Sequence, residues 1–119
     1  MDKGKKVILI VDDNEALVDA LEVLLSEDYE VIPATNAYQA LEVLNFMVPD
    51  LIFLDMFMPG YNGIQLLREI RQMKLASRVV IITAAEAYLL GDEIQKLNVD
   101  GFLRKPFNVQ DIEGFAAAA

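Results

Sequence analysis

Five polar residues stand where apolar runs end. Asp12 and Asp13 follow Val7–Val11, and Asp55 follows Leu51–Leu54. Thr83 closes Val79–Thr83, and Lys105 follows Gly101–Arg104. Read together, they are three carboxylates, a hydroxyl and an ammonium. Three carboxylates crowded at one edge repel by about 4 kcal/mol per pair at roughly 4 Å and an effective dielectric near 20, and one of them should have its pKa raised. A hard divalent cation relieves that conflict. Mg²⁺ takes oxygen ligands, uses one or two carboxylates, and keeps waters that a phosphate can displace. Thr83, Lys105 and loop amides would then face a phosphoryl group. Taken singly, each residue has a plainer role: Asp12 and Asp13 would cap the first helix, and Lys105 would pair with Asp55. All five at matching strand ends favour a site.

Composition removes most other chemistry. The 119 residues include no Cys, His or Trp. That excludes disulfides, thiolate nucleophiles, zinc-thiolate sites and histidine-assisted catalysis. The net charge of −9 argues against direct nucleic-acid binding. No Lys or Arg occurs between Lys6 and Arg68, a stretch holding eleven of the nineteen acidic residues. The apolar run after the charged start stops at Asp12, too short for a signal peptide or a membrane span. A cytoplasmic protein without membrane association is the expectation.

The elements that must hold these residues follow from periodicity. Val7–Val11, Leu51–Leu54 and Val79–Thr83 are continuous aliphatic runs, as strands buried on both faces require. Tyr29–Ala34 reads as a strand placed at a sheet edge by Pro33, and Gly101–Arg104 as a short fifth strand. Between them lie helical patterns: Glu15–Ser26 with Leu17, Ala20, Leu21, Leu24 and Leu25 inward, a helix capped by Asn36 and Gln39 through Leu44, and one after Gly63 to about Met73. Ala85–Leu97, weakened by Gly91, and a last helix opened by Asn108 and Asp111 complete the series. Met58-Pro59-Gly60 and Gly63 are expected to form a turn. Five β-then-α units predict an α/β, flavodoxin-like (βα)5 three-layer sandwich. The edge position of the Pro33 strand favours the order 2-1-3-4-5 for its parallel five-stranded sheet, an order that the family resemblance given below also implies, with the carboxyl ends of the first and third strands flanking the switch point. A single domain over 1–119 is expected, its last helix truncated after Phe115 because Gly114-Phe115 and four alanines make a poor end for a packed helix.

At these residues the sequence resembles the receiver domains of two-component response regulators. The resemblance rests on Asp12-Asp13, Asp55-Met56-Phe57-Met58-Pro59-Gly60 with Gly63, Thr83-Ala84, and Lys105-Pro106-Phe107. It implies that Asp55 is the phosphoacceptor, charged by a sensor histidine kinase, a histidine phosphotransfer protein or a small donor such as acetyl phosphate. It implies a Mg²⁺ site, with Mn²⁺ as a substitute, made by Asp13, Asp55, the Phe57 carbonyl and, through water, Asp12. Lys105 and Thr83 would meet the phosphoryl oxygens, and the Lys105–Pro106 bond would be cis. Thr83 and Phe102 would carry the switch to the face built by the fourth helix, fifth strand and fifth helix. That face would address a downstream output domain or protein, or a phosphorylation-dependent homodimer. Such a chain is a signalling switch and not an enzyme, although it promotes its own Mg²⁺-dependent phosphorylation. Phe57 and Ala85 offer no polar group to orient a hydrolytic water, so self-dephosphorylation is expected to be slow.

Other readings fit less well. An aspartyl phosphatase needs a second Asp where Phe57 stands. Flavin or nucleotide binding needs a glycine- or hydroxyl-rich phosphate loop that Asp12-Asp13-Asn14-Glu15 does not supply. The remaining alternative is a receiver-like interaction module that is not phosphorylated.

Overall fold

The computed structural model describes residues 4–58, 60–84 and 96–119, with Tyr61 and Asn62 described by their backbone. The expected helix Ala85–Leu97 and its Gly91 fall largely outside these residues, as does Ala85. Seven strands and four helices are described. They are β1 (Val7–Val11), α1 (Glu15–Leu25), β2 (Glu30–Ala34), α2 (Ala37–Leu44), β3 (Leu51–Asp55), β4 (Phe57–Met58), β5 (Tyr61–Asn62), α3 (Gly63–Gln72), β6 (Arg78–Thr83), β7 (Gly101–Arg104) and the C-terminal helix α4 (Val109–Ala118).

The continuous aliphatic runs become strands covered on both faces. Every residue of β3 is buried, as are Ile8, Leu9, Ile10 and Val11 of β1. Alternation then divides them between two cores. Leu9, Val11, Ile52, Leu54, Val79 and Ile81 pack with Ala37, Ala40 and Leu44 of α2 and Leu66, Leu67 and Ile70 of α3. Ile8, Ile10, Phe53, Val80 and Ile82 pack with Val18, Leu21 and Leu25 of α1 and Ile112 and Ala116 of α4. The result is the three-layer α/β arrangement, with a five-stranded sheet in the order β2-β1-β3-β6-β7 and all its pairings parallel. Counting only the strands of that sheet, this is the 2-1-3-4-5 order, and the Pro33 strand is at the edge.

Two local details differ from the sequence reading. Ala20 of α1 is exposed, and Val18 is buried in its place. Residues 18, 21 and 25 form the inward stripe at three- and four-residue spacing. Where a turn was expected around Met58, Gly60 and Gly63, Phe57–Met58 and Tyr61–Asn62 pair as two-residue antiparallel strands β4 and β5, with Gly60 at φ 77° in the left-handed region. Helix α4 runs to Ala118, as the alanines themselves favour, and Ala116 is buried. Alanine has the highest helix propensity, and its small side chain fits against the sheet.

Among the described residues no helix is long and apolar enough to cross a membrane.

Candidate functional site

The parallel register places the ends of β1, β3, β6 and β7 along one edge. Asp12 extends the ladder by one residue: its N–H donates to the Ala34 carbonyl at 3.0 Å, and the residue is fully buried, at 0% exposure. Its Oδ1 accepts from the Asn14 N–H at 2.9 Å. The cap of α1 is Asn14, whose Oδ1 accepts from the Leu17 N–H at 3.1 Å. Neither Asp12 nor Asp13 is therefore spent as that cap. An Asn directly before a helical pattern is a strong capping signal, and it could have been read from the sequence.

Asp55 closes β3 opposite Ile82 and is 4% exposed. Its Oδ1 accepts from the Phe57 N–H at 3.0 Å. Lys105 is positioned by its own N–H, which donates to the Thr83 carbonyl at 2.8 Å, and the bond to Pro106 is cis. Its Nζ lies 2.8 Å from Asp12 Oδ2 and 3.5 Å from Asp55 Oδ2. Lys105 thus bridges two carboxylates, with Asp12 the closer partner. Asp12 Oδ2 is buried, and among the described residues no hydrogen-bond donor is aligned on it, so within that set the Lys105 ion pair compensates it.

Asp13 is exposed at the mouth. One carboxylate oxygen from each of Asp12, Asp13 and Asp55 falls within 4.8 Å of the others. Thr83 is buried at the end of β6, on the strand beside Asp55. Phe57 contributes its amide to Asp55 while its side chain faces solvent. Phe102 stands opposite Ile81 and is also exposed, so it is not gathered into the site.

Burial pushes the Asp55 carboxyl up from 3.8 to about 6. The Phe57 hydrogen bond opposes this, the Asp12 charge adds to it, and the Lys105 charge opposes it again. Burial alone would lower Lys105, but its bond to Asp12 and the two carboxylate charges outweigh that and raise it. The pocket therefore carries more negative charge than its single ammonium balances. A buried carboxylate oxygen without an aligned donor, in an all-oxygen donor set, fits a hard divalent cation.

Against known proteins, the model of the response regulator receiver domain matches residues 8–116. The chain is 35% identical over 111 residues to the alkaline phosphatase synthesis transcriptional regulatory protein PhoP of Bacillus subtilis, covering 90% of this chain and 45% of that one. It is 36% identical over 106 residues to sporulation initiation phosphotransferase F of the same organism, covering 88% of this chain and 86% of the relative. It thus spans about half the length of PhoP and most of the second relative. Among solved structures, a CheY-like response regulator receiver domain protein from Methanospirillum hungatei superposes with a TM-score of 0.89 at 25% identity, covering 96% of this chain and 92% of that one. Fold, motif positions and sequence similarity agree: the chain belongs to the response regulator receiver domain family.

Proposed function

We propose that this chain is a phosphorylation-dependent signalling switch whose phosphoacceptor is Asp55. The observation that carries the reading is the environment of that carboxylate. It is buried, fixed at Oδ1 by the Phe57 amide, and flanked by Lys105 and two further carboxylates. With Oδ1 held, Oδ2 is the oxygen that bonds to phosphorus as the bond to the donor breaks. A phosphohistidine of a sensor histidine kinase or histidine phosphotransfer protein would leave as imidazole, and acetyl phosphate as acetate. Lys105 Nζ, 3.5 Å from Oδ2, orients the entering phosphoryl group and balances its charge, and Thr83 donates its hydroxyl to another phosphoryl oxygen. Asp12, Asp13, Asp55 and the Phe57 carbonyl would hold Mg²⁺, or Mn²⁺ in its place. When bound, the ion supplies neutralisation of the charge on the carboxylates and the phosphoryl oxygens. Added phosphoryl charge then biases Thr83 and Phe102, and through them an output domain, a partner protein or a homodimer contact. A cytoplasmic location agrees with this role.

Incubation with acetyl phosphate and Mg²⁺ should add one phosphoryl group by intact mass, mapped to Asp55 by peptide analysis, and should add none when a chelator is present from the start. No adduct from acetyl phosphate, phosphoramidate or a phosphorylated transfer protein would sink the reading in favour of a non-phosphorylated interaction module.

The same preparation measures lifetime. Phe57 presents only hydrocarbon beside the acceptor, so no side chain there orients a hydrolytic water. The adduct should outlast minutes under Mg²⁺. Decay within seconds would contradict that expectation.

A further inference from the structure

One edge of the sheet offers a second surface. β2 is the outermost strand, and Pro33 on it, with Gln39, Glu42, Val43 and Phe46, lines an open groove of about 430 Å³. The four residues from α2 and its following turn recur at three- and four-residue spacing, so they form one stripe. Phe46 is 86% exposed, and Tyr38, one turn before Glu42, is 77% exposed. Aromatic side chains of this kind serve as anchors when an interface covers them. None of these residues belongs to the carboxylate site.

The surroundings favour one kind of occupant. From Val7 to Leu67 the chain has eleven acidic residues and no Lys or Arg, and Glu42, which lines the groove, is exposed. A cationic partner meets no repelling side chain on β1, α1, β2, α2 or β3. A second copy docking through the same face would set Glu42 and this acid-rich half against themselves. Strand addition is disfavoured because Pro33 removes a donor from an edge of five residues. A helix laid in the groove needs no backbone pairing.

We propose that this groove docks an amphipathic helix of a partner protein, its apolar stripe covering Val43 and Phe46 and its flanking Lys or Arg side chains meeting Glu42. The proposal is independent of phosphoryl transfer and is tested without a phosphoryl donor. The probe is a synthetic two-heptad helix with leucine on one face and lysine on its flanks, titrated into the whole chain and followed by amide NMR. Saturable one-to-one binding is expected, with the largest shifts over Gln39 to Phe46. Phe46→Ala and Glu42→Lys should each weaken it by roughly tenfold or more, with melting curves unchanged because both positions are exposed. Glu22→Lys on α1 should leave it unaltered, and the peptide carrying glutamate in place of lysine should not bind. Shifts centred on α1, or an affinity indifferent to Phe46→Ala, would overturn the proposal. Self-association of the chain that Phe46→Ala abolishes would also overturn it, and would assign the face to a second copy.

Discussion

Asp55→Asn is expected to abolish phosphoryl uptake and, at the same time, to raise the melting temperature of the metal-free protein. Both effects have one cause. Asp55 is held in a place that favours its neutral form, with its pKa moved from 3.8 to about 6 chiefly by burial. A folded-state pKa above the unfolded value means that the native protein binds the proton more tightly. The stability from that proton is fully present below about pH 4 and is lost as pH rises through about 6. At neutral pH the ionised carboxylate is therefore a net cost, on the order of 1–3 kcal/mol for a shift of about two units. Asparagine keeps an oxygen to accept from the Phe57 N–H, removes the charge, and leaves Lys105 paired with Asp12. The variant should melt several degrees higher above about pH 7, with the difference vanishing near pH 4. Mg²⁺ should raise the wild-type melting temperature and raise the variant's less. Calorimetry across that pH range checks the sign. A variant less stable than wild type at neutral pH, or a difference independent of pH, would show that the pocket does not strain Asp55.

The direction of that shift was legible in outline, because three Asp residues converging at strand ends repel, but its main cause, the burial of Asp55, was not. Nor was the pairing of the charges. Lys105 could be expected near Asp55, but its choice of Asp12 as the closer partner, 2.8 Å against 3.5 Å, turns on how a flexible side chain crosses two strand ends. The central strands were readable because burial on both faces leaves an unbroken aliphatic run, and Pro33 marked the edge because a ladder donor is missing there. The Asn36 cap behaved as its type predicts, accepting from the Gln39 N–H at 2.9 Å. Gln39, however, reaches back to the Thr35 N–H and not to the cap residue, so only half of the reciprocal motif forms. Periodicity was weakest where elements are short or apolar on several sides. In α1 both Ala20 and Val18 were eligible for the inward stripe, and two-residue strands such as β4 and β5 have no period to detect.

Gly63 is the position where sequence suggested a turn and the structure gives a stronger reason. A Cβ there would lie 2.5 Å from both the Cα and the carbonyl oxygen of Met56 and 2.8 Å from its carbonyl carbon. All three are backbone atoms, and no rotamer change relieves the clash. Met56 cannot drift freely either, since its N–H donates to the Ile82 carbonyl at 3.2 Å and its side chain is buried. Gly63→Ala must therefore push the start of α3 off the sheet or displace the residue next to Asp55. Overpacking against backbone should cost about 2–4 kcal/mol in urea unfolding. Displacing Asp55 by even ~1 Å should slow phosphoryl uptake by about a hundredfold. Gly114→Ala is the matched control: it lies within α4 with no atom within 4 Å of an added Cβ, so it should stabilise by about 0.5–1 kcal/mol. If Gly63→Ala unfolds at the wild-type urea concentration, the close approach of α3 to Met56 does not hold Asp55 in place. A loss at Gly63 beside a gain at Gly114 would mean that the backbone contact, and not glycine's flexibility, fixes where Asp55 sits.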